Sequence, residues 1–86
     1  MDIKRLTQIL KKKISSNLNV EEILIQDKTF LHKSHPNHKE GKYHIKIIIK
    51  SEELKNMKKI ESFKIIHKLI KYELQNYIHS LQLKIN

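Results

Sequence analysis

Cysteine and tryptophan are absent from this 86-residue chain, and proline and glycine occur once each. Without cysteine no disulfide forms, and any thiolate held beside this chain must come from another molecule. With Gly41 as the single glycine, a glycine-rich phosphate loop is excluded. No nucleophile-and-base pairing stands out, and Asp27 and Glu40 lie far apart in the sequence. The chain is therefore read as non-enzymatic. Its apolar runs fall far short of the roughly 20 residues that cross a bilayer. The opening MDIKRLTQILKKKI lacks the apolar region of a signal peptide. A cytoplasmic protein without membrane contact is expected. The length fits one domain, residues 1–86, burying roughly 60–65% of its unfolded surface.

What is abundant is lysine. The formal net charge is +9, and Arg5 is the only arginine among the 18 basic residues. A strongly basic chain invites a nucleic-acid reading. Lysine is nevertheless the weaker choice for bidentate contact with bases or phosphates. A solvated lysine-rich surface explains the charge equally well.

Hydrophobic periodicity orders the chain as helix, strand, strand, short helix, long helix, strand. Asp2 to Ser16 reads as an amphipathic helix capped by Asp2, with Ile3, Leu6, Ile9/Leu10 and Ile14 on one face. Lys11, Lys12 and Lys13 are placed in its last turn, where they suit the negative end of the dipole. Val20 to Phe30 is the first strand candidate. Tyr43 to Lys50 alternates with period two, Tyr43, Ile45, Ile47 and Ile49 against His44, Lys46, Ile48 and Lys50. An antiparallel hairpin of these two strands, with a long loop, is expected. Ser51 caps a short turn opened by Glu52 and Glu53. A helix from about Lys59 to Gln75 follows, its buried stripe being Ile60, Phe63, Ile66/His67, Ile70 and Leu74. Tyr77 to Ile85 closes the chain as a strand with Leu81, Leu83 and Ile85 on one side, parallel to the middle strand. The fold class is α+β, with helices packed on a small mixed sheet.

Four of the six histidines, His32, His35, His38 and His44, lie between Asp27 and Ser51, around the loop marked by Pro36 and Gly41. His32 and His35 form an H-x-x-H spacing, a weak metal signal because a closed zinc site wants four ligands. His44 falls on the polar side of its strand and reads as surface. His67 reads as a packed or capping residue of the long helix. His79 falls in phase with Leu81 and Leu83, where burying a titratable ring costs desolvation unless it has a partner. A histidine bonded to backbone at the core's edge is the plainer alternative. Lys58, Lys59, Lys64, Lys68 and Lys71 are the candidate phosphate contacts, against an ordinary solvated helix face.

Three segments resemble the BolA family: Asp27-Lys28-Thr29-Phe30-Leu31-His32-Lys33-Ser34-His35, then Tyr43-His44-Ile45 through Ser51-Glu52-Glu53-Leu54, and Ile78-His79-Ser80-Leu81-Gln82-Leu83. The last is similar to the family's Val/Ile-His-Ala-Leu signature. The resemblance implies an αββααβ fold related to class II KH domains without their Gly-x-x-Gly loop. It implies a partnership with a monothiol glutaredoxin, sharing a 2Fe–2S cluster whose thiolates come from the glutaredoxin and glutathione. The imidazoles would be His79 and, from the loop, His32, with His35 or His44 as less favoured substitutes. No cofactor is expected on the isolated chain, which is expected to be a monomer. The alternative it implies is a DNA-binding transcriptional regulator of a stress response, using the lysines named above. Ser62-Phe63-Lys64 stands where the family carries Arg-His-Arg, which weakens that alternative.

Overall fold

The computed structural model describes residues 1–29 and 42–86. Helix α1 spans Ile3–Asn17, strand β1 Glu22–Asp27 and strand β2 Tyr43–Lys50. Helices α2 (Glu52–Lys55), α3 (Lys59–Leu69) and α4 (Lys71–Asn76) lead to strand β3, Ile78–Ile85. The α+β class, the order of elements and the mixed sheet all match the periodicity reading. The expected loop features, His32, His35, Pro36, His38 and Gly41, lie outside the described residues. Among the described residues no helix is long and apolar enough to cross a membrane.

β2 is the centre of the fold. It pairs antiparallel with β1, Ile25 opposite Ile47, and parallel with β3, Ile47 opposite Leu83, giving the order β1-β2-β3. Its alternation sends Ile45, Ile47 and Ile49 into the core beside Leu6, Leu10 and Ile14 of α1 and Ile66 of α3. Flanking β1 and β3 bury their inward residues only partly, as edge strands do, apart from Ile78 at the start of β3, which is 4% exposed. The outward face is left open at Leu24, 51% exposed.

Two caps fall where the residue types predict. Asp2 Oδ1 accepts from Arg5 N at 2.8 Å, and Ser51 Oγ accepts from Leu54 N at 3.2 Å while donating to Asn19 O at 2.7 Å. The end of α1 differs from expectation. Ser15 and Asn17 donate from their side chains to Lys11 O and Lys13 O, and the helix carries on to Asn17. The three lysines therefore lie before the last turn and do not serve the dipole there.

The long helical segment arrives in two pieces. It breaks at Ile70, whose φ of −110° and ψ of 22° leave the helical region, although no proline or glycine marks the position. Its buried face is also rotated from the expected stripe. Ser62, Ile66, Ile70 and Glu73 are buried, while Ile60 is 63% exposed and His67 lies at the surface. His67 is neither packed nor a terminal cap; its Nδ1 lies 2.7 Å from Phe63 O one turn back. Hydropathy places the stripe wrongly because two of its members are polar. Ser62 is small and donates to Lys59 O at 2.9 Å. The Glu73 carboxylate is closed by Lys13, whose Nζ donates to Oε1 and Oε2 at 2.8 and 2.7 Å.

Candidate functional site

The start of β3 carries an irregularity that decides where its histidine goes. Tyr43 pairs with Ile78 and His44 with Ser80, so one step on β2 matches two on β3 and His79 is the extra residue. An inserted residue inverts the alternation that follows. Ile78 thereby takes the core position that His79 would hold in a regular strand, and Leu81, Leu83 and Ile85 still face inward. His79 is exposed. The expected place for it, on the apolar side of the strand, is corrected by this bulge.

His44 departs from expectation in the opposite sense. It stands on the outward side of β2, as the alternation predicts, yet it is only 6% exposed. Ser80, paired opposite it across the parallel ladder, brings its hydroxyl 2.5 Å from Nδ1. The His79 ring packs against the His44 ring edge to face, with centroids 5.0 Å apart. A residue expected at the surface is thus covered, with the exposed His79 ring against it.

The backbone under this pair is fastened to the end of β1. Asp27 Oδ1 accepts from Thr29 N and from the Thr29 hydroxyl, a local turn that ends the strand. The same hydroxyl accepts from His44 N at 3.1 Å, and His44 O accepts from Lys28 N at 2.7 Å. Asp27, Thr29, His44, Ser80 and His79 therefore form one continuous set at the strand ends. The parts played by Ser80 and Thr29 escaped the sequence reading. The signal that finds Ser80 is the parallel register of β2 and β3, and the one that finds Thr29 is the antiparallel register of β1 and β2, neither of which residue types alone reveal.

Of the expected imidazoles, His44 and His79 are brought together, while His32 and His35 fall outside the described residues. No group of three or more potential ligands occurs among the described residues. The five candidate phosphate-binding lysines are all exposed. Lys64 and Lys68 lie one turn apart on α3, and Lys71 follows the break. Lys58 and Lys59 sit at the far end of α3, where the Lys59 ammonium lies over the Phe63 ring at 5.5 Å.

Comparison with known proteins places this architecture. Residues 14–86 match the family model described as BolA-like protein. The DNA-binding transcriptional regulator BolA of Haemophilus influenzae is 30% identical over 76 residues, covering 88% of this chain and 71% of that protein. The BolA domain of SufE1 from Arabidopsis thaliana superposes with a TM-score of 0.77 at 17% identity, covering 100% of this chain and 93% of that one. BolA1 from the same plant gives 0.75 at 21% identity, over 92% and 87% of the two chains. With the signature histidine at the bulge and this fold around it, the chain belongs to the BolA-like protein family.

Proposed function

We propose that this BolA-like chain is a non-catalytic partner of a monothiol glutaredoxin, sharing a histidine-ligated 2Fe–2S cluster in iron–sulfur or iron homeostasis. The observation that carries the reading is the exposed His79 ring, extruded by a bulge and backed by His44, in a chain without cysteine. An imidazole that the fold pushes out of its core is available to a ligand outside the chain. With no cysteine in the chain, the thiolates of a cluster ligated here come from another molecule. The missing ligands are thiolates, which a glutaredoxin and glutathione supply.

His79 is the first ligand in this reading. His44 is covered and engaged with Ser80 through Nδ1, which suits it to orienting the His79 ring. The second imidazole is assigned to His32, with His35 the next choice. Such a cluster supplies one-electron chemistry, and histidine ligation raises its potential relative to thiolates alone.

Reconstitution tests the assignment. The chain and a monothiol glutaredoxin are combined with iron, sulfide and glutathione, and visible absorption and circular dichroism are recorded. His79→Ala is expected to change the spectrum most and His32→Ala next. Spectra unmoved by both substitutions overturn the ligand set.

A second reading is a DNA-binding regulator. Its support is the name of the Haemophilus relative and the exposed lysines Lys58, Lys59, Lys64, Lys68 and Lys71. In that case duplex affinity falls steeply with salt, with a slope near −0.9 per neutralised phosphate.

A further inference from the structure

The other end of β3 holds a feature that the histidine site does not use. A cleft of about 280 Å³ opens between that strand and the α2–α3 turn. Leu54, Met57, Phe63, Leu83 and Ile85 form its apolar floor. Lys55, Lys59 and Lys84 stand around it, and no acidic residue is among the described residues that line it. The first turn of α3, which no side chain caps, adds backbone donors at the same place.

The strand contributes more than side chains. Asn86 N donates to Ile49 O at the end of the β2–β3 ladder. Backbone groups of successive residues point to opposite edges, so the N–H and C=O groups of Leu81, Leu83 and Ile85 point away from β2. Among the described residues only β2 pairs with β3. The residues whose side chains floor the cleft thus present backbone donors and acceptors along the rim.

We propose that this cleft binds an extended acidic peptide segment of a partner protein, in which carboxylates alternate with aliphatic side chains. The peptide adds as a strand to the outer edge of β3, its aliphatic residues entering the cleft. Its alternate carboxylates meet Lys84 on the other face of the strand, and a carboxylate at its end meets Lys55 and Lys59 on the helix side. Chemistry at the cleft favours peptide over single-stranded nucleic acid. Nucleic acid of that kind is held by bases stacked on aromatic faces. Here the floor is mainly aliphatic, and Phe63, its single aromatic residue, already lies under the Lys59 ammonium. The lysines also lack the planar fork that grips phosphate bidentately.

The proposal is independent of the cluster reading, since His79 lies at the opposite end of the strand. Its test uses a fluorescein-labelled octapeptide alternating glutamate with leucine, titrated by anisotropy and followed by amide chemical shifts. Binding is expected, with shifts concentrated at Leu81 to Ile85 and at the α2–α3 turn. Lys55→Glu with Lys84→Glu is expected to weaken it about tenfold, the size of two reversed exposed charges. His79→Ala is expected to leave it unchanged. Both substituted lysines are exposed, so circular dichroism of the double variant checks that the fold persists. Tighter binding of an oligothymidylate than of the peptide, shifts elsewhere on the sheet, or equal affinity of the double variant overturns the proposal.

Discussion

Two of the buried polar side chains, Glu73 and His44, are buried for different ends. Glu73 is 3% exposed and its contacts close on themselves: both carboxylate oxygens accept from Lys13, whose ammonium also lies 5.9 Å from the Tyr72 ring. His44 is nearly as well covered, yet it is stacked against an exposed imidazole that a bulge has pushed out of the strand. A polar group satisfied within the fold needs no further explanation. One that supports an exposed, ligand-capable neighbour has a function as its simplest account. The contrast separates a fastening from a site, and it makes unequal demands on stability and on chemistry.

The largest effect is expected at the fastening. Lys13→Met leaves the Glu73 carboxylate buried without its cation, a loss of about 2–3 kcal/mol. The loss is smaller than for a fully buried pair because the Lys13 side chain is 38% exposed. Adding Glu73→Leu removes the orphaned charge and is expected to return stability to within about 1 kcal/mol of the parent. Urea unfolding of the single and double variants measures both. If Lys13→Met costs no more than an ordinary surface substitution, the pair is not the closed unit described, and the distinction from His44 is lost.

At the site, stability and function are expected to part company. His79→Ala removes an exposed ring and should shift unfolding by no more than about 0.5 kcal/mol. His44→Ala removes a buried, hydrogen-bonded ring and should cost about 2 kcal/mol. The spectroscopic ranking in a reconstituted glutaredoxin complex is the reverse, with His79→Ala the more damaging. Equal destabilisation by the two substitutions would make His79 part of the fold and remove the reason for its exposure.

These residues also show how far the chain could be read without coordinates. α1, β2 and the Ser51 cap follow from periodicity and residue type, because each depends on neighbours within a few positions. The pairing of the three strands follows from their connections, a loop for the antiparallel pair and a helical crossover for the parallel one. The three histidine-bearing segments carried the family resemblance on the same local footing. What could not be read depends on distant partners. Lys13 and Glu73 are 60 positions apart, and only their meeting lets a carboxylate occupy the buried face expected for Ile60 and Leu74. His44 reads as surface because Ser80 and His79 reach it only through a parallel register. The bulge that exposes His79 is one residue in length, and a one-residue shift exchanges the two faces of a strand.

The smallest effect lies at the rim of the fastening, where the closed cluster extends to Tyr77. Its ring meets that of Tyr72 edge to face, with centroids 6.1 Å apart. The Tyr77 phenol is held above its ordinary 10.0, first by hydrogen bonding to Tyr72, then by the charge of Tyr72, by desolvation and last by the charge of Glu73. A raised value in the folded state means that the native protein holds this proton more tightly than the unfolded chain. The resulting stability is fully present below pH 10 and is lost as pH rises from there through the folded value. Tyr72→Phe removes the two largest causes together, so the Tyr77 phenolate should appear at lower pH in an ultraviolet absorbance titration. Glu73→Leu, which removes only the last cause, should move it less. If Tyr72→Phe leaves the Tyr77 transition in place, the tyrosine pair does not belong to the closed cluster, and its boundary contracts to Lys13 and Glu73.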